Sequence, residues 1–376
     1  MRKADGRRFR RMRVWIASLA VIALAAAAAA PPALAVSGSF WGVVPQQTPT
    51  PEQLQRLKRG GVDSIRIPIS WAVAQPTRGG PIDLSPYDAL VGEAASAGLE
   101  VLPFLYDAPS WAVPVDRRFG SPANLPVRTA AQRSAWTRFA QQAVLRYGPN
   151  GSFWALNPAV PKRPIETWQI WNEENFKYFV AKPNPAEYGK LVKLSSAAIK
   201  GVDPAARLIL GGMFARPIEA TFAKRPPQAY FAADFLDQMY KSTPGVKSKF
   251  QGVALHPYTG TYKRLGPYIE EFRAALAANH DAGKGLWITE LGWSSQAPSH
   301  GNSFAKGRSG QAAQLKGAFR LLSAKQRAWR LQQVYWFSIG DQKGVCNFCD
   351  GSGLFGNGFV PKPAWFAYVG FAGGRP

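Results

Sequence analysis

Cysteine, histidine and acidic side chains are scarce in this chain, and each shortage closes off a class of chemistry. Only Cys346 and Cys349 occur in 376 residues. A zinc centre needs more ligands than that pair supplies, and the Gly-rich loop around Cys-Asn-Phe-Cys lacks the strand-to-helix setting of a redox site. In an exported chain the pair is expected to close a local disulfide that tightens the loop, with two free thiols as the alternative. The histidines are His256, His280 and His300. His280 falls at a helix end and His300 in a polar loop, so no two- or three-His metal centre is expected, and no cofactor. Also missing are repeats, Ser/Gly linkers and low-complexity tracts, which argues against an appended module. No Gly-rich phosphate turn follows the first strand candidate, which disfavours a doubly wound open sheet.

Acids are outnumbered two to one, 23 Asp and Glu against 46 Lys and Arg, for a net charge of +23. Seven of those bases, from Arg2 to Arg13, precede an apolar run from Val14 to Ala30, which ends in Ala33-Leu34-Ala35. Basic start, apolar run and small-residue site together predict a secretory signal over residues 1–35, cleaved before Val36. The run is also long enough for an uncleaved membrane anchor, since roughly 17 to 25 apolar residues span a bilayer. No later segment is comparably apolar, so the remainder is expected to be soluble, and with the signal pattern residues 36–376 are expected to be secreted or associated with the cell envelope. The leader carries seven bases and one acid, so the chain without it keeps a net charge of +17. Such a field favours anionic partners, among them acidic or cell-wall glycans, and equally serves solubility and general wall adhesion. The bases are scattered without a nucleic-acid motif, so no nucleic-acid partner is expected.

From Phe40 onward, eight short apolar runs alternate with amphipathic stretches of helical length. The runs are FWGVVP from 40, VDSIRIPISW from 62, EVLPFLYDA from 100, IETWQIWNE from 165, RLILGGMF from 207, FQGVALHPY from 250, GLWITELGWS from 285 and VYWFSIGD from 334. Strands regularly followed by helices imply parallel pairing through right-handed crossovers. Eight such units predict an α/β fold of the (β/α)8 TIM-barrel kind, one domain over residues 36–376, expected as a monomer. The stretches 109–128, 149–164 and 214–228 are expected to be loops decorating one face.

Active sites of such barrels lie at the C-terminal ends of the strands. Reading off those ends brings together Arg66 and Trp71, Tyr106 and Asp107, Asn172 and Glu173, His256 and Tyr258, Glu290, and Trp336. Two carboxylates arriving from separate strands suit glycosidic cleavage, one protonating the leaving oxygen and the other supporting the cationic sugar carbon. A gap of roughly 5 to 5.5 Å permits direct attack and retention, and a wider gap admits a water and inversion. A lone acid at a strand end is more often an ion pair or helix cap, but Glu290 sits in the apolar WITELGW, where an unpaired charge is costly.

The set WQIWNEEN, HPY, WITELGWSS and VYWFSIGD…GLFGNGFVPKPAWFAY resembles the clan A retaining glycoside hydrolases, nearest to family 39 and family 5-like enzymes. The resemblance covers essentially all of residues 36–376. It implies a hydrolase of O-glycosidic bonds in a poly- or oligosaccharide, with Glu173 as acid/base and Glu290 as nucleophile. It further implies that Asn172 holds the sugar 2-hydroxyl, Tyr258 donates to Glu290, and Arg66 lowers the pKa of the same carboxylate. His256 would contact Glu173 or a sugar hydroxyl, and Trp336 would form a platform under the sugar. Trp41, Trp71, Trp111 and Trp293 are further platform candidates, each weighed against a place in the core. Asp107 stands where many clan members carry a histidine, which implies different contacts with the non-reducing sugar. Glu174 is expected to be a solvated neighbour of Glu173, in the first turn of the next loop or helix. The alternative reading is a non-catalytic barrel that binds anionic cell-envelope polysaccharide.

Overall fold

Eight strands close into a parallel barrel in the computed structural model, which describes residues 40–216, 229–344 and 349–376. The strands are β1 (Trp41–Val44), β2 (Ser64–Ser70), β3 (Glu100–Tyr106), β4 (Thr167–Ile170), β5 (Arg207–Phe214), β6 (Gly252–His256), β7 (Gly285–Leu291) and β8 (Leu331–Phe337). Each pairs in parallel with its sequence neighbours, and β1 pairs with β8 to close the ring. One long helix follows each strand: α1 (Pro51–Arg59), α2 (Ser85–Ser96), α3 (Ala130–Tyr147), α4 (Pro185–Val202), α5 (Ala232–Ser242), α6 (Leu265–Ala278), α7 (Gly307–Trp329) and α8 (Pro363–Ala372). The expected TIM barrel is therefore the fold.

Local sequence chemistry sets the helix starts. Thr50 caps α1 in a reciprocal capping box with Gln53, with Pro51 at the first helical position, and Thr129 and Gln132 do the same for α3. In both, a side-chain oxygen satisfies a backbone N–H that the helix leaves unpaired. Asn184 accepts from the N–H groups of Ala186 and Glu187 ahead of α4.

Alternation along the strands sends one set of side chains outward into the helix layer and the other into the barrel. The outward set makes an aromatic-rich core: Trp41 stacks on Phe319 of α7 at 4.0 Å, and Trp336 packs on the same ring and on Trp293. Two adjacent glycines in β5 show how tight the wall is. A Cβ on Gly211 would lie 1.9 Å from Glu174 Oε2 outside the barrel, and one on Gly212 would lie 1.9 Å from His256 Nε2 inside it.

Loop placement corrects one expectation. The segment 109–128 follows β3 on the C-terminal face and carries a small hairpin, Val115–Asp116 with Ser121–Pro122. The segment 149–164 instead runs from α3 into β4, so it lies at the N-terminal end with its short helix Ser152–Leu156. Long loops thus decorate both ends; residues 217–228 lie outside the described residues. So does the expected signal over 1–35. Cys349 is buried and disulfide-bonded, whereas Cys346 lies outside the described residues. Among the described residues, no helix is long and apolar enough to cross a membrane.

Candidate active site

The chain leaves β4 in an unusual way, and that exit builds the site. The strand ends at Ile170, and Trp171 and Glu173 then take left-handed backbone conformations, with φ of 70° and 43°. Asp107, just after β3, does the same at φ 66°. Non-glycine residues rarely adopt this region, and such conformations concentrate at functional sites. Here the two turns suspend strand alternation, so that Asn172 and Glu173 both reach the barrel mouth while the Trp171 indole packs outward against Trp136.

Arg66 organises the centre. Fully buried in β2, its guanidinium donates from Nη1 to Glu290 Oε1 (2.7 Å), from Nη2 to Asn172 Oδ1 (2.6 Å) and from Nε to Gln169 Oε1 (2.7 Å). Its planar face lies 4.0 Å from the Phe104 ring centroid. A fork of donors suits this three-way clamp in a way that a lysine ammonium does not. Because the Asn172 oxygen is occupied by Arg66, its Nδ2 is left to donate outward.

Glu290 Oε2 accepts from the Tyr258 hydroxyl at 2.9 Å. Burial pushes the Glu290 carboxyl up, and the Arg66 charge and the Tyr258 hydrogen bond oppose that rise. Glu173 lies well above the usual carboxylate range, raised first by burial and then by the Glu290 charge. The pair therefore divides its protons unequally: Glu290, holding two strong donors, ionises first, and Glu173 keeps its proton.

His256 completes the arrangement with Nδ1 at 2.7 Å from Glu173 Oε1 and Nε2 at 2.9 Å from Thr289 Oγ1. Burial, with the Arg66 charge adding to it, drives its pKa well down, so the imidazole is neutral. The donor order runs outward from Arg66. Gln169 accepts from Arg66 and so must present its NH2 to Thr289 Oγ1 (3.3 Å) and the Leu210 carbonyl (3.1 Å). The Thr289 hydroxyl, accepting there, is free to donate to His256 Nε2, which places the ring proton on Nδ1, facing Glu173.

Glu173, His256 and Glu290 offer ligand atoms within 4.8 Å of one another. The donor set fits protons better than a metal ion, because both Glu290 oxygens already accept hydrogen bonds and the Arg66 cation occupies the place of a positive charge.

Several expected site residues lie elsewhere. Trp336 is fully buried, donates to the Ser352 carbonyl (3.1 Å) and faces α7, so it offers no platform. Trp41 and Trp293 are also in the core, the latter donating to the Thr259 carbonyl (2.8 Å), and Trp71 lies under Trp111. Alternation explains the Trp336 error: the neighbouring Phe337 takes the inward direction, its ring centroid 6.4 Å from that of Tyr258. Phe214 and Phe304 complete an aromatic collar around Tyr258. Asp107 is half-buried at the rim, accepting from Ser70 Oγ (3.0 Å) and the Ala108 N–H (2.8 Å), and burial raises its pKa.

Glu174 is the largest departure. It is fully buried rather than solvated, no helix begins near it, and its carboxyl lies against the Tyr188 hydroxyl. The Tyr188 hydroxyl beside it is committed to the Ile170 carbonyl (2.9 Å) and the Gly211 N–H (2.7 Å). Burial raises its pKa to about 8, so the group is a neutral acid. Gln169, Thr289, Phe104 and Phe337 escaped the sequence reading. For the burial of Glu174 the double glycine of RLILGGMF was the available signal, since glycine inside a strand marks close approach of another group.

No family model and no curated protein sequence matches the chain. Solved structures do share its fold. A family 39 glycoside hydrolase from the gut symbiont Bacteroides cellulosilyticus is 20% identical over 89% of this chain and 63% of its own, with a TM-score of 0.61. A glucosidase from Croceicoccus marinus is 15% identical over 89% of this chain and 67% of its own, TM-score 0.62. A monomeric beta-xylosidase from Caulobacter crescentus is 17% identical over 88% and 68%, TM-score 0.57. The chain thus spans somewhat less than two thirds of the first of these proteins, and at such identities the likeness is one of fold.

Proposed function

We propose that the protein is a retaining glycoside hydrolase acting on O-glycosidic bonds of a poly- or oligosaccharide. The observation that carries this reading is the unequal carboxyl pair: Glu290 clamped by Arg66 and Tyr258, and Glu173 held protonated beside His256, with carboxyl oxygens of the two within 4.8 Å. That proximity is in keeping with the closely spaced carboxyls of retaining enzymes.

In the first step Glu290 attacks the anomeric carbon while Glu173 gives its proton to the departing glycosidic oxygen, leaving a glycosyl ester on Glu290 and Glu173 ionised. A water then yields its proton to Glu173 and its oxygen to the anomeric carbon, releasing Glu290. His256 Nδ1–H holds Glu173 Oε1, which leaves Oε2 to carry the proton toward substrate. Asn172 Nδ2 is placed to donate to a sugar hydroxyl, a contact that strengthens as positive charge builds on the ring. The fold neighbours, which include hydrolases described as a glucosidase, a xylosidase and a mannosidase, support the same class.

The basic charge and the pattern of residues 1–35 support action outside the cytoplasm, at a cell envelope whose anionic glycans would retain the enzyme. A purely binding role is less well supported, because it gives no reason for two buried carboxyls with opposed proton affinities at one mouth.

The test is chemical rescue. Glu290→Ala should lose turnover of an activated aryl glycoside and regain it with azide, yielding a glycosyl azide of inverted configuration. Glu173→Ala should retain far more activity on activated than on poor leaving groups. Full activity in Glu290→Ala would sink the reading.

A further inference from the structure

A cavity of about 490 Å3 opens between the loop after β1 and the loop after β8. Both loops leave the C-terminal ends of their strands, so the cavity shares the face of the carboxyl pair. They are tied together where the Ile339 N–H donates to the Val44 carbonyl at 3.1 Å. Ile339, in the cavity wall, is two residues beyond Phe337.

The lining chemistry is selective. Its polar side chains are mainly uncharged: Gln46, Gln47, Thr48, Gln342 and Asn357. Among the described residues no lysine or arginine lines it, although bases outnumber acids two to one in the chain. The one acid, Asp341, is already matched by Lys362 Nζ at 2.6 Å and the Gly353 N–H at 2.9 Å. Gln342 Oε1 is buried without a hydrogen-bond partner, an arrangement that ordinarily calls for an incoming donor. No side-chain hydrogen bond within the described residues engages the carboxamides of Gln46, Gln47 or Asn357. Phe359, stacked on Phe355 at 3.9 Å, supplies an apolar wall.

Carboxamides, a hydroxyl and a phenyl wall match a ligand of hydroxyl groups and C–H faces with no net charge. A uronate or phosphate unit would instead seek a free cation, and the cations beside this lining are engaged, Lys362 with Asp341 and Arg56 over the Phe355 and Phe359 rings. We propose that this cavity is a subsite for one neutral pyranose of a bound glycan chain, on the same face of the barrel as the bond that is cleaved. The basic exterior then serves attachment to an anionic envelope, while the chain being cut is neutral. This rests on the hydrolase reading for its link to catalysis, though not for binding.

The test compares the full chain with Gln342→Ala and, as a solvent-exposed second variant, Asn357→Ala. Probes are neutral pentaoses of β-linked glucose, xylose, mannose and galactose, a galacturonate pentaose, and the matching aryl monoglycosides. The expected result is that kcat/KM on the preferred neutral pentaose, relative to that on its aryl monoglycoside, falls about tenfold in each variant, ~1.4 kcal/mol. An unchanged ratio, or a preference for the galacturonate chain, overturns the subsite and leaves the hydrolase reading standing. If the parent protein hydrolyses nothing, calorimetric titration with the same pentaoses decides. Binding of a neutral pentaose that weakens in Gln342→Ala upholds the subsite while the hydrolase reading falls, and no neutral binding overturns both.

Discussion

Glu173 and Glu174, adjacent in the chain, lie on opposite sides of the barrel wall. Glu173 faces His256 inside, where Gly212 makes room, and Glu174 lies over Gly211 outside, beside Tyr188. One acid is the proposed proton donor and the other is a neutral wedge between barrel and helices, so their variants should fail in different ways.

For Glu174 the prediction concerns stability. Its folded pKa of about 8 exceeds the ordinary 4.5, so between these values the folded state holds a proton that the unfolded state has lost. Stability therefore falls as pH rises across that window, by up to ~1.4 kcal/mol per pH unit from this group. Glu174→Gln keeps the shape without the ionisation. Urea unfolding at pH 5 and pH 8 should show the variant gaining on the parent as pH rises, and parallel pH dependence would refute the assignment.

Removing Arg66 should act on Glu290, the proposed nucleophile. Arg66→Met deprives Glu290 of its cation and Asn172 of its anchor, with kcat expected to drop about 10²- to 10³-fold. Without the positive charge the ionised form of Glu290 is disfavoured, so the acidic limb of the kcat/KM profile should move to higher pH. Arg66→Lys should not restore activity, because one ammonium cannot serve three acceptors in fixed directions. A pH profile that stays in place would show that Arg66 acts only on folding.

His256 should act on the other limb. Replacing it with Phe removes the Nδ1–H donor from Glu173, which raises the carboxyl still further. The basic limb should then shift upward while kcat falls. A downward shift would mean that the ring accepts from Glu173 instead, reversing the donor order from Arg66 through Gln169 and Thr289.

The aromatic pair in β8 should separate packing from binding. Trp336→Ala opens the helix-facing core and should lower stability by ~3–5 kcal/mol with KM little changed. Phe337→Ala alters the collar around Tyr258 and should raise KM about tenfold at a smaller loss of stability. A sugar platform at Trp336 would give the opposite ranking, readable from Tm and KM together.

Much of this was legible in the chain alone. Period-two and helical patterning places eight strands and eight helices, because burying one face per element is a local demand that residue order expresses directly. Strand ends then deliver Arg66, Asn172, Glu173, His256, Tyr258 and Glu290 to one mouth, since barrel topology assigns the C-terminal ends a common face. What local pattern could not carry was direction at the points where regular geometry stops. Left-handed turns at Trp171 and Glu173 reset which way each following side chain points, and they exchanged the expected environment of Glu174 for burial. The one-residue choice between Trp336 and Phe337 turned on the same alternation. Proton placement was likewise a tertiary matter: Arg66, Gln169, Thr289 and His256 come from four strands, and only their approach within hydrogen-bond distance fixes which carboxyl is ionised and which is neutral.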